Sequence, residues 1–200
     1  MRRTLSAVVT GLVVVTGAAA CSSSSGSSGS SHSSSSSTVA PPKEVNPAGD
    51  IPDDQVYVAW SPSGGGYTVK VPEGWARQQA GGATVFSDKF NSIRIDRSPA
   101  NKAPTVQSVR SADLPAVQRS AKNVTVGKVS TVKRSGATAV LATYQADSAP
   151  DQVTGKSVRQ DVERYAFWKN GTQVVLTLSG AVGADNVDPW HIVTDSFRWA

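Results

Sequence analysis

Cysteine and histidine are almost absent from this 200-residue chain, which has one cysteine, Cys21, and two histidines, His32 and His191. A single cysteine cannot form an intramolecular disulfide, so the fold must be stabilised by its core. Structural zinc sites need four ligands drawn mainly from cysteine and histidine, and the chain cannot supply such a set. The composition therefore predicts no metal site and no cofactor.

Clusters of positive charge are also missing. Beyond residue 20 the chain has 18 basic and 15 acidic residues, a balance of +3, and its longest basic run is Lys133-Arg134. Nucleic-acid-binding domains concentrate lysine and arginine on one face, whereas scattered charge is typical of a solvated surface. We therefore expect no nucleic-acid partner.

What the chain does contain is an N-terminal export signal. Two arginines follow the first methionine, an apolar stretch covers residues 5–15, and three alanines precede Cys21. The pattern is typical of a secretory signal peptide, and the apolar run is too short for a comfortable membrane span. With Cys21 directly after the cleavage position it resembles the lipobox of bacterial lipoproteins, departing from it at Ala18, where Leu or Val is usual. The pattern predicts cleavage between Ala20 and Cys21 and acylation of Cys21; an ordinary secretory peptide with a coincidental cysteine is the alternative.

A serine-rich segment follows the cysteine. Residues 22–37 include 13 serines, interrupted by two glycines and His32, and prolines follow up to residue 49. Such a composition buries too little apolar surface to offset chain entropy, so we expect a disordered tether reaching roughly 30 Å on average. Whether the serines are glycosylated is left open. The predicted organisation is a signal peptide over residues 1–20, a lipidated tether over 21–49 and one domain over 50–200.

The predicted domain carries every tryptophan, tyrosine and phenylalanine of the chain. Alternating apolar residues predict strands at 56–60, 67–71 and 93–95, with a further short strand at 84–86. The size of the segment is that of one ordinary domain with a substantial core.

Two hairpins are predicted in its second half. Asn170-Gly171 separates strand-like runs at 158–168 and 172–179, and this dipeptide favours a type I′ turn. The first arm shifts its apolar phase near Glu163-Arg164, which a bulge or a sheet covered on both faces would explain. The second hairpin turns at Ser135-Gly136.

Two helical segments complete the pattern. Apolar spacing predicts a helix over about residues 105–121, split by Pro115. A second helix follows Gly183, with Asp188 as its cap and Pro189 at its first position. The order of elements predicts an α+β fold in which helices cover an antiparallel β-sheet.

Particular motifs also suggest a family. The stretch Tyr67–Trp75, ending in Pro-Glu-Gly-Trp, resembles the opening strand and turn of the PsbP-like family, which includes LpqN-type lipoproteins of actinobacteria. The Asn170-Gly171 turn and the closing Ser-Phe-Arg-Trp at 196–199 fit as well. The resemblance implies an α/β/α sandwich and a family of adaptors and accessory subunits. Plant members assist photosystem II and related folds bind small GTPases, but no residue motif for either partner is present here.

Candidate active-site residues are few. His191 is the only histidine of the predicted domain, and a nucleophilic triad would have to combine it with a serine that no Gly-x-Ser-x-Gly motif marks. We therefore predict that the protein is not an enzyme. Trp168, beside a hairpin turn, and His191 are the candidate binding residues; which tryptophans are exposed is left open, and Trp168 is the one to test.

The sequence thus predicts a non-catalytic binding or adaptor domain, lipid-anchored on the outer face of a bacterial cell membrane. Its partner would be an envelope protein or a lipid or glycolipid. A lipid or glycolipid carrier and a small Ser/His-dependent envelope hydrolase are the alternatives, and the oligomeric state is open.

Overall fold

The computed structural model describes residues 49–151 and 154–200, which belong to one compact unit. Cys21, Ala20, the predicted signal peptide and His32 lie outside the described residues. Among the helices of the described part, none is long and apolar enough to span a bilayer.

The described part has ten strands and two helical regions. The strands are β1 Tyr57–Trp60, β2 Tyr67–Pro72, β3 Ala76–Ala80, β4 Ala83–Asp88, β5 Asn91–Pro99, β6 Lys122–Arg134, β7 Ala137–Asp147, β8 Arg159–Lys169, β9 Thr172–Ala181 and β10 Arg198–Trp199. The helices are α1 Val106–Ser108, which continues through a π-helical turn, Val109–Asp113, into α2 Leu114–Ser120, and α3 Val187–Asp195. Eight strands and both helical regions follow the predicted order, and β3 and β10 are additional.

All strands pair antiparallel in two sheets of the described chain. The large sheet has seven strands in the order β3-β4-β5-β9-β8-β7-β6, and the small sheet has the order β1-β2-β10. The predicted α+β class is confirmed. The small sheet and α3 cover one face of the large sheet, and the α1–α2 region covers the other.

Both predicted hairpins are confirmed. Asn170 and Gly171 have φ angles of 48° and 80°, as a type I′ turn requires, and they join β8 to β9. Ser135 and Gly136 join β6 to β7.

Strand β8 contributes to two cores, which explains its phase shift. Tyr165 and Phe167 lie in the core under the small sheet, while Val162 lies in the core under α1–α2. The register of β8 is continuous with both neighbours. Coverage of both faces is therefore the explanation, and no bulge occurs near Glu163-Arg164. Register shifts occur instead between β6 and β7.

Two details of the helices differ from prediction. Pro115 does not split its helix, because a π-turn precedes it and places Pro115 in the first turn of α2, where a missing N–H is tolerated. Helix α3 begins at Val187 with Asn186 as its N-cap, so Asp188 is not the cap. The Asn186 side chain makes no capping bond because it is engaged in a buried network.

Strand β3 was not predicted at all. Its sequence, Ala-Arg-Gln-Gln-Ala, has no apolar alternation because it is an edge strand with four of its five residues exposed.

Candidate functional site

A groove of about 430 Å³ lies beside α3. Its floor is the sheet face of β7 and β8, its far side is the irregular start of β6, and its near wall is the first turn of α3. We call it the acidic groove. Its floor side chains are Thr143, Gln145, Asp161 and Glu163, and its apolar wall is Ala184, Val187 and Trp190.

Strand register assembles the polar floor. Gln145 lies opposite Asp161, and Thr143 lies opposite Glu163. Side chains alternate between faces along a strand, so Asp161 and Glu163 share the face of Tyr165. The face of β8 that carries Tyr165 thus carries two carboxylates beyond the edge of the layer formed by the small sheet and α3.

Each carboxylate is held through one oxygen. Asp161 Oδ1 accepts a hydrogen bond from Gln145 Nε2 at 2.8 Å, and Glu163 Oε2 accepts one from the Tyr165 hydroxyl at 2.6 Å. Among the described residues, Asp161 Oδ2 and Glu163 Oε1 have no donor. The floor therefore presents two fixed carboxylates with spare acceptor capacity.

Tyr165 couples Glu163 to a partly buried cation, Arg134. The Tyr165 hydroxyl accepts a hydrogen bond from Arg134 Nη2 at 2.6 Å, and Arg134 Nε lies 3.9 Å from Asp195 Oδ1. Burial, followed by the hydrogen bond to Glu163, raises the pKa of Tyr165 to about 12. The phenol is therefore a fixed neutral donor to Glu163 at neutral pH.

A second network closes the outer end of the groove. Arg159 donates to Thr125 Oγ1 at 2.8 Å and to Asp147 Oδ1 at 3.3 Å. Hydrogen bonding from Asn123, and then Arg159, lowers the pKa of Asp147. Arg159 is thus engaged by Asp147, and among the described residues it forms no hydrogen bond or ion pair with the floor carboxylates.

Two glycines allow the groove to form. A Cβ on Gly127 would lie 2.5 Å from Thr143 Oγ1, so only glycine lets β6 approach the floor there. A Cβ on Gly180 would lie 2.6 Å from Asn186 Nδ2 and 2.7 Å from Asn91 Oδ1. Gly180 therefore leaves room for the buried asparagine pair that sets the start of α3.

The asparagine pair also holds the entry of the chain into the domain. Asn91 Nδ2 and Asn186 Nδ2 both donate to the Gly49 carbonyl, at 2.9 and 3.1 Å, and Asn186 Oδ1 accepts from the Ile51 amide at 2.9 Å. Residues 49–51 thus lie directly beside α3 and the groove wall.

The two predicted binding residues lie elsewhere. His191 is exposed on α3 and lines none of the larger cavities of the described residues. Trp168 is only half-buried, and its Nε1 donates to the Ala100 carbonyl at 2.8 Å. It lines a small cavity of about 190 Å³ on the other sheet face, where it anchors the loop after β5.

Sequence reasoning did not identify Asp161 and Glu163 as site residues. The sequence feature that could have identified them is the phase shift in β8: Asp161 and Glu163 occupy the same alternate positions as Tyr165 and Phe167, and therefore lie on the same face of the strand. Within the described part of the chain, no group of three or more histidine, cysteine, aspartate or glutamate side chains is placed to hold a metal ion.

Comparison with known proteins gives the fold. No protein-family model and no curated protein matches this chain. The structure is similar to the cyanobacterial PsbP protein CyanoP from Synechocystis sp. PCC 6803, with a TM-score of 0.55 and 14% identity over 76% of this chain and 98% of that one. The PsbP-like fold that the sequence motifs predicted is confirmed.

Two weaker similarities accompany it. The Ran-binding protein Mog1p of Saccharomyces cerevisiae matches with a TM-score of 0.48 and 11% identity over 72% of this chain and 95% of that one. LpqN of Mycobacterium tuberculosis, described as involved in cell envelope biogenesis, matches with a TM-score of 0.41 and 12% identity over 74% and 92%.

Proposed function

We propose that this chain is a lipoprotein, anchored through acylated Cys21 to the outer face of a bacterial cell membrane, whose domain binds a protein partner without catalysis. The export signal and the cysteine after it support the anchor. The acidic groove is the observation that supports binding.

The chemistry of the groove indicates the kind of partner. Asp161 and Glu163 each present one oxygen without a donor, and Val187, 61% exposed, stands on the wall beside them. A charge-assisted hydrogen bond contributes about 1.5–3 kcal/mol when it is shielded from water. The partner is therefore a protein segment that places a lysine or arginine on the floor and an aliphatic side chain against Val187 and Trp190.

The alternatives fit the groove less well. A hydrocarbon chain would remove the water from two carboxylates without replacing their hydrogen bonds, which is costly, so a lipid carrier is disfavoured. A hydrolase built on His191 would need that imidazole beside a substrate cavity, and His191 is exposed and does not line the groove.

Site-specific crosslinking in intact cells tests the binding role. A photo-crosslinking residue at Val187 is expected to capture a partner, whereas one at Val56, which is 56% exposed and lines neither groove nor cavity, is not. The double variant Asp161→Asn, Glu163→Gln keeps size and removes charge, and should cut the Val187 crosslink about tenfold.

Equal capture at Val187 and Val56 would contradict the proposal, as would a Val187 crosslink that is equally strong in the parent and in the double variant. Native mass spectrometry of the same preparation tests the alternative that the protein carries a lipid or glycolipid. That alternative requires a lipid that co-purifies with the parent protein and also with the double variant.

Membrane fractionation tests the anchor separately. Cys21→Ser should move the protein from the membrane to the soluble fraction and remove the acyl mass from its N-terminus, because one or two buried acyl chains provide the attachment. Ser22→Ala is the matched control and should stay with the membrane. A Cys21→Ser chain that remains membrane-bound would rule out acylation as the anchor.

A further inference from the structure

A second concave site lies at the β3 end of the large sheet, in a part of the fold that the acidic groove does not use. It is a cleft of about 860 Å³ between the β1–β2 loop and strands β3 to β5. We call it the arginine cleft. The lining side chains that concern its chemistry are Trp60, Tyr67, Arg77, Gln79, Thr84 and Arg97.

Register places these groups on one face. Gln79 lies opposite Thr84, and Thr84 lies opposite Ile95. Side chains two residues apart on a strand share a face. Arg77 therefore shares the face of Gln79, Arg97 shares the face of Ile95, and both arginines lie on the same face of the sheet. The cleft opens where the small sheet stops covering this face.

Aromatic rings form its inner wall. Trp60 packs edge-on against Phe86, with ring centroids 5.3 Å apart, and against Tyr67 at 6.1 Å. Trp60 itself is only half-buried. Its remaining ring surface is available to a ligand ring or to C–H groups.

The charge of the cleft is positive and uncompensated. No carboxylate is among its lining residues, and neither Arg77 nor Arg97 forms an ion pair within the described part of the chain. Asp96, next to Arg97, lies on the opposite face and is held by Arg94 at 2.9 and 2.8 Å. Among the described residues, Arg97 donates only to the Gly65 carbonyl, at 3.2 Å.

The Tyr67 hydroxyl also lacks a partner within the described part of the protein. Tyr67 is 3% exposed and lines the cleft, and its hydroxyl makes no hydrogen bond among the described residues. This hydroxyl is not one of the polar atoms sealed from solvent without a partner, so water or a ligand in the cleft can reach it. Burial raises the pKa of Tyr67 to about 12, so this hydroxyl is a donor at neutral pH.

We propose that the arginine cleft binds a sugar phosphate, whose phosphate contacts Arg77, Arg97 and the Tyr67 hydroxyl while its ring packs against Trp60. Guanidinium groups suit the geometry of phosphate oxygens, because each presents a planar fork of N–H donors. The Gln79 amide oxygen and the Ser63 hydroxyl can pair with sugar hydroxyls, while Gln79 Nε2 already donates to Thr84 Oγ1 at 2.9 Å. The same headgroup chemistry occurs in soluble sugar phosphates and in phosphoinositides.

Calorimetry and vesicle flotation test the proposal on the full-length chain carrying Cys21→Ser, so that its own acyl chains cannot drive flotation. Glucose 6-phosphate should bind at least tenfold more tightly than glucose. Flotation with phosphatidylcholine vesicles containing phosphatidylinositol 4-phosphate, compared with phosphatidylcholine alone, detects the lipid source. Binding in either arm supports the cleft and identifies the source.

Three variants assign the binding to the cleft. Arg77→Gln and Arg97→Gln should each weaken it about tenfold, and Arg119→Gln, an exposed arginine on α2, should leave it unchanged. Tyr67→Phe is the most discriminating change, because the ring and its packing remain. It should weaken binding three- to tenfold without lowering the free energy of unfolding.

Absence of binding in both arms would overturn the proposal. Equal affinity for glucose and glucose 6-phosphate would do the same, as would binding that Arg77→Gln, Arg97→Gln and Tyr67→Phe all leave unchanged. The acidic groove is intact in these variants, so its crosslinking test fails or succeeds independently.

Discussion

The phenolic hydroxyls of Tyr57 and Tyr165 differ in their hydrogen bonding. The Tyr165 hydroxyl both accepts from Arg134 and donates to Glu163, whereas the Tyr57 hydroxyl is sealed from solvent without a partner among the described residues. A satisfied buried hydroxyl stabilises a fold modestly, and an unsatisfied one destabilises it. The two residues therefore form a matched pair for measurement.

We expect Tyr57→Phe to raise the free energy of unfolding by about 1 kcal/mol, because it removes an unpaired polar atom. Tyr165→Phe should lower it by about 1–2 kcal/mol, because it leaves Arg134 and Glu163 without their shared partner. Urea unfolding at neutral pH measures both. The same sign for the two variants would contradict this account of the hydroxyls.

The dependence of the free energy of unfolding on alkaline pH provides a second measurement of Tyr57 and Tyr165. Burial raises the pKa of Tyr57 to about 12, and burial with the Glu163 hydrogen bond does so for Tyr165. An unfolded tyrosine loses its proton near pH 10, so between about pH 10 and 12 the folded state holds more protons. The free energy of unfolding must then fall as pH rises through this window, and each Tyr→Phe variant should fall less steeply than the parent.

At the scale of elements, close packing between β9 and the start of α3 constrains the acidic groove. It depends on Gly180, over which the side chains of Asn91 and Asn186 meet at 3.0 Å. Trp190 lies next to them, 3.4 Å from where a Gly180 Cβ would be. The position of the groove wall thus depends on the absence of a side chain at Gly180.

Gly180→Ala is expected to lower the free energy of unfolding by about 1–3 kcal/mol, because the new methyl group must displace a buried, hydrogen-bonded pair. Gly64→Ala is the control: its Cβ would meet only Arg97 Nη1, at 3.6 Å, and its φ is not positive. Chemical denaturation compares the two. An equal effect at both positions would show that close packing at Gly180 is not the constraint.

Element boundaries also show the limit of local patterns. The alternation in β8 and β9 and the Asn170-Gly171 turn are local, and they were predictable. The bulges of β6, the π-turn before Pro115 and the exposed edge strand β3 were not, because each is fixed by what packs beside it.

At the scale of the whole molecule, residues 49–51 join the predicted tether to the domain. Ile51 is 5% exposed, its amide binds Asn186, and the Gly49 carbonyl accepts from both buried asparagines. The domain boundary therefore lies N-terminal to these contacts. A partner in the acidic groove would be held beside the point where the tether enters.

A chain of residues 43–200 should unfold within about 2 °C of the full-length protein, whereas residues 52–200 should lose at least about 5 °C. The shorter chain lacks the buried Ile51 side chain and the Gly49 carbonyl, and leaves Asn91 and Asn186 underpaired. Calorimetry of both chains measures the difference. Equal unfolding temperatures would mean that residues 49–51 contribute nothing to the fold.

The sequence by itself determined the α+β class, both hairpins and the final helix, because strand alternation, turn residues and helix spacing are properties of neighbouring residues. The PsbP-like fold followed from the resemblance of its motifs to that family. The sequence did not determine the two candidate binding surfaces. Asp161 meets Gln145, and Arg77 shares a face with Arg97, through registers between strands distant in sequence. Only tertiary structure sets those registers and decides where the covering layers end, so only it could place the carboxylates and arginines in open concave sites.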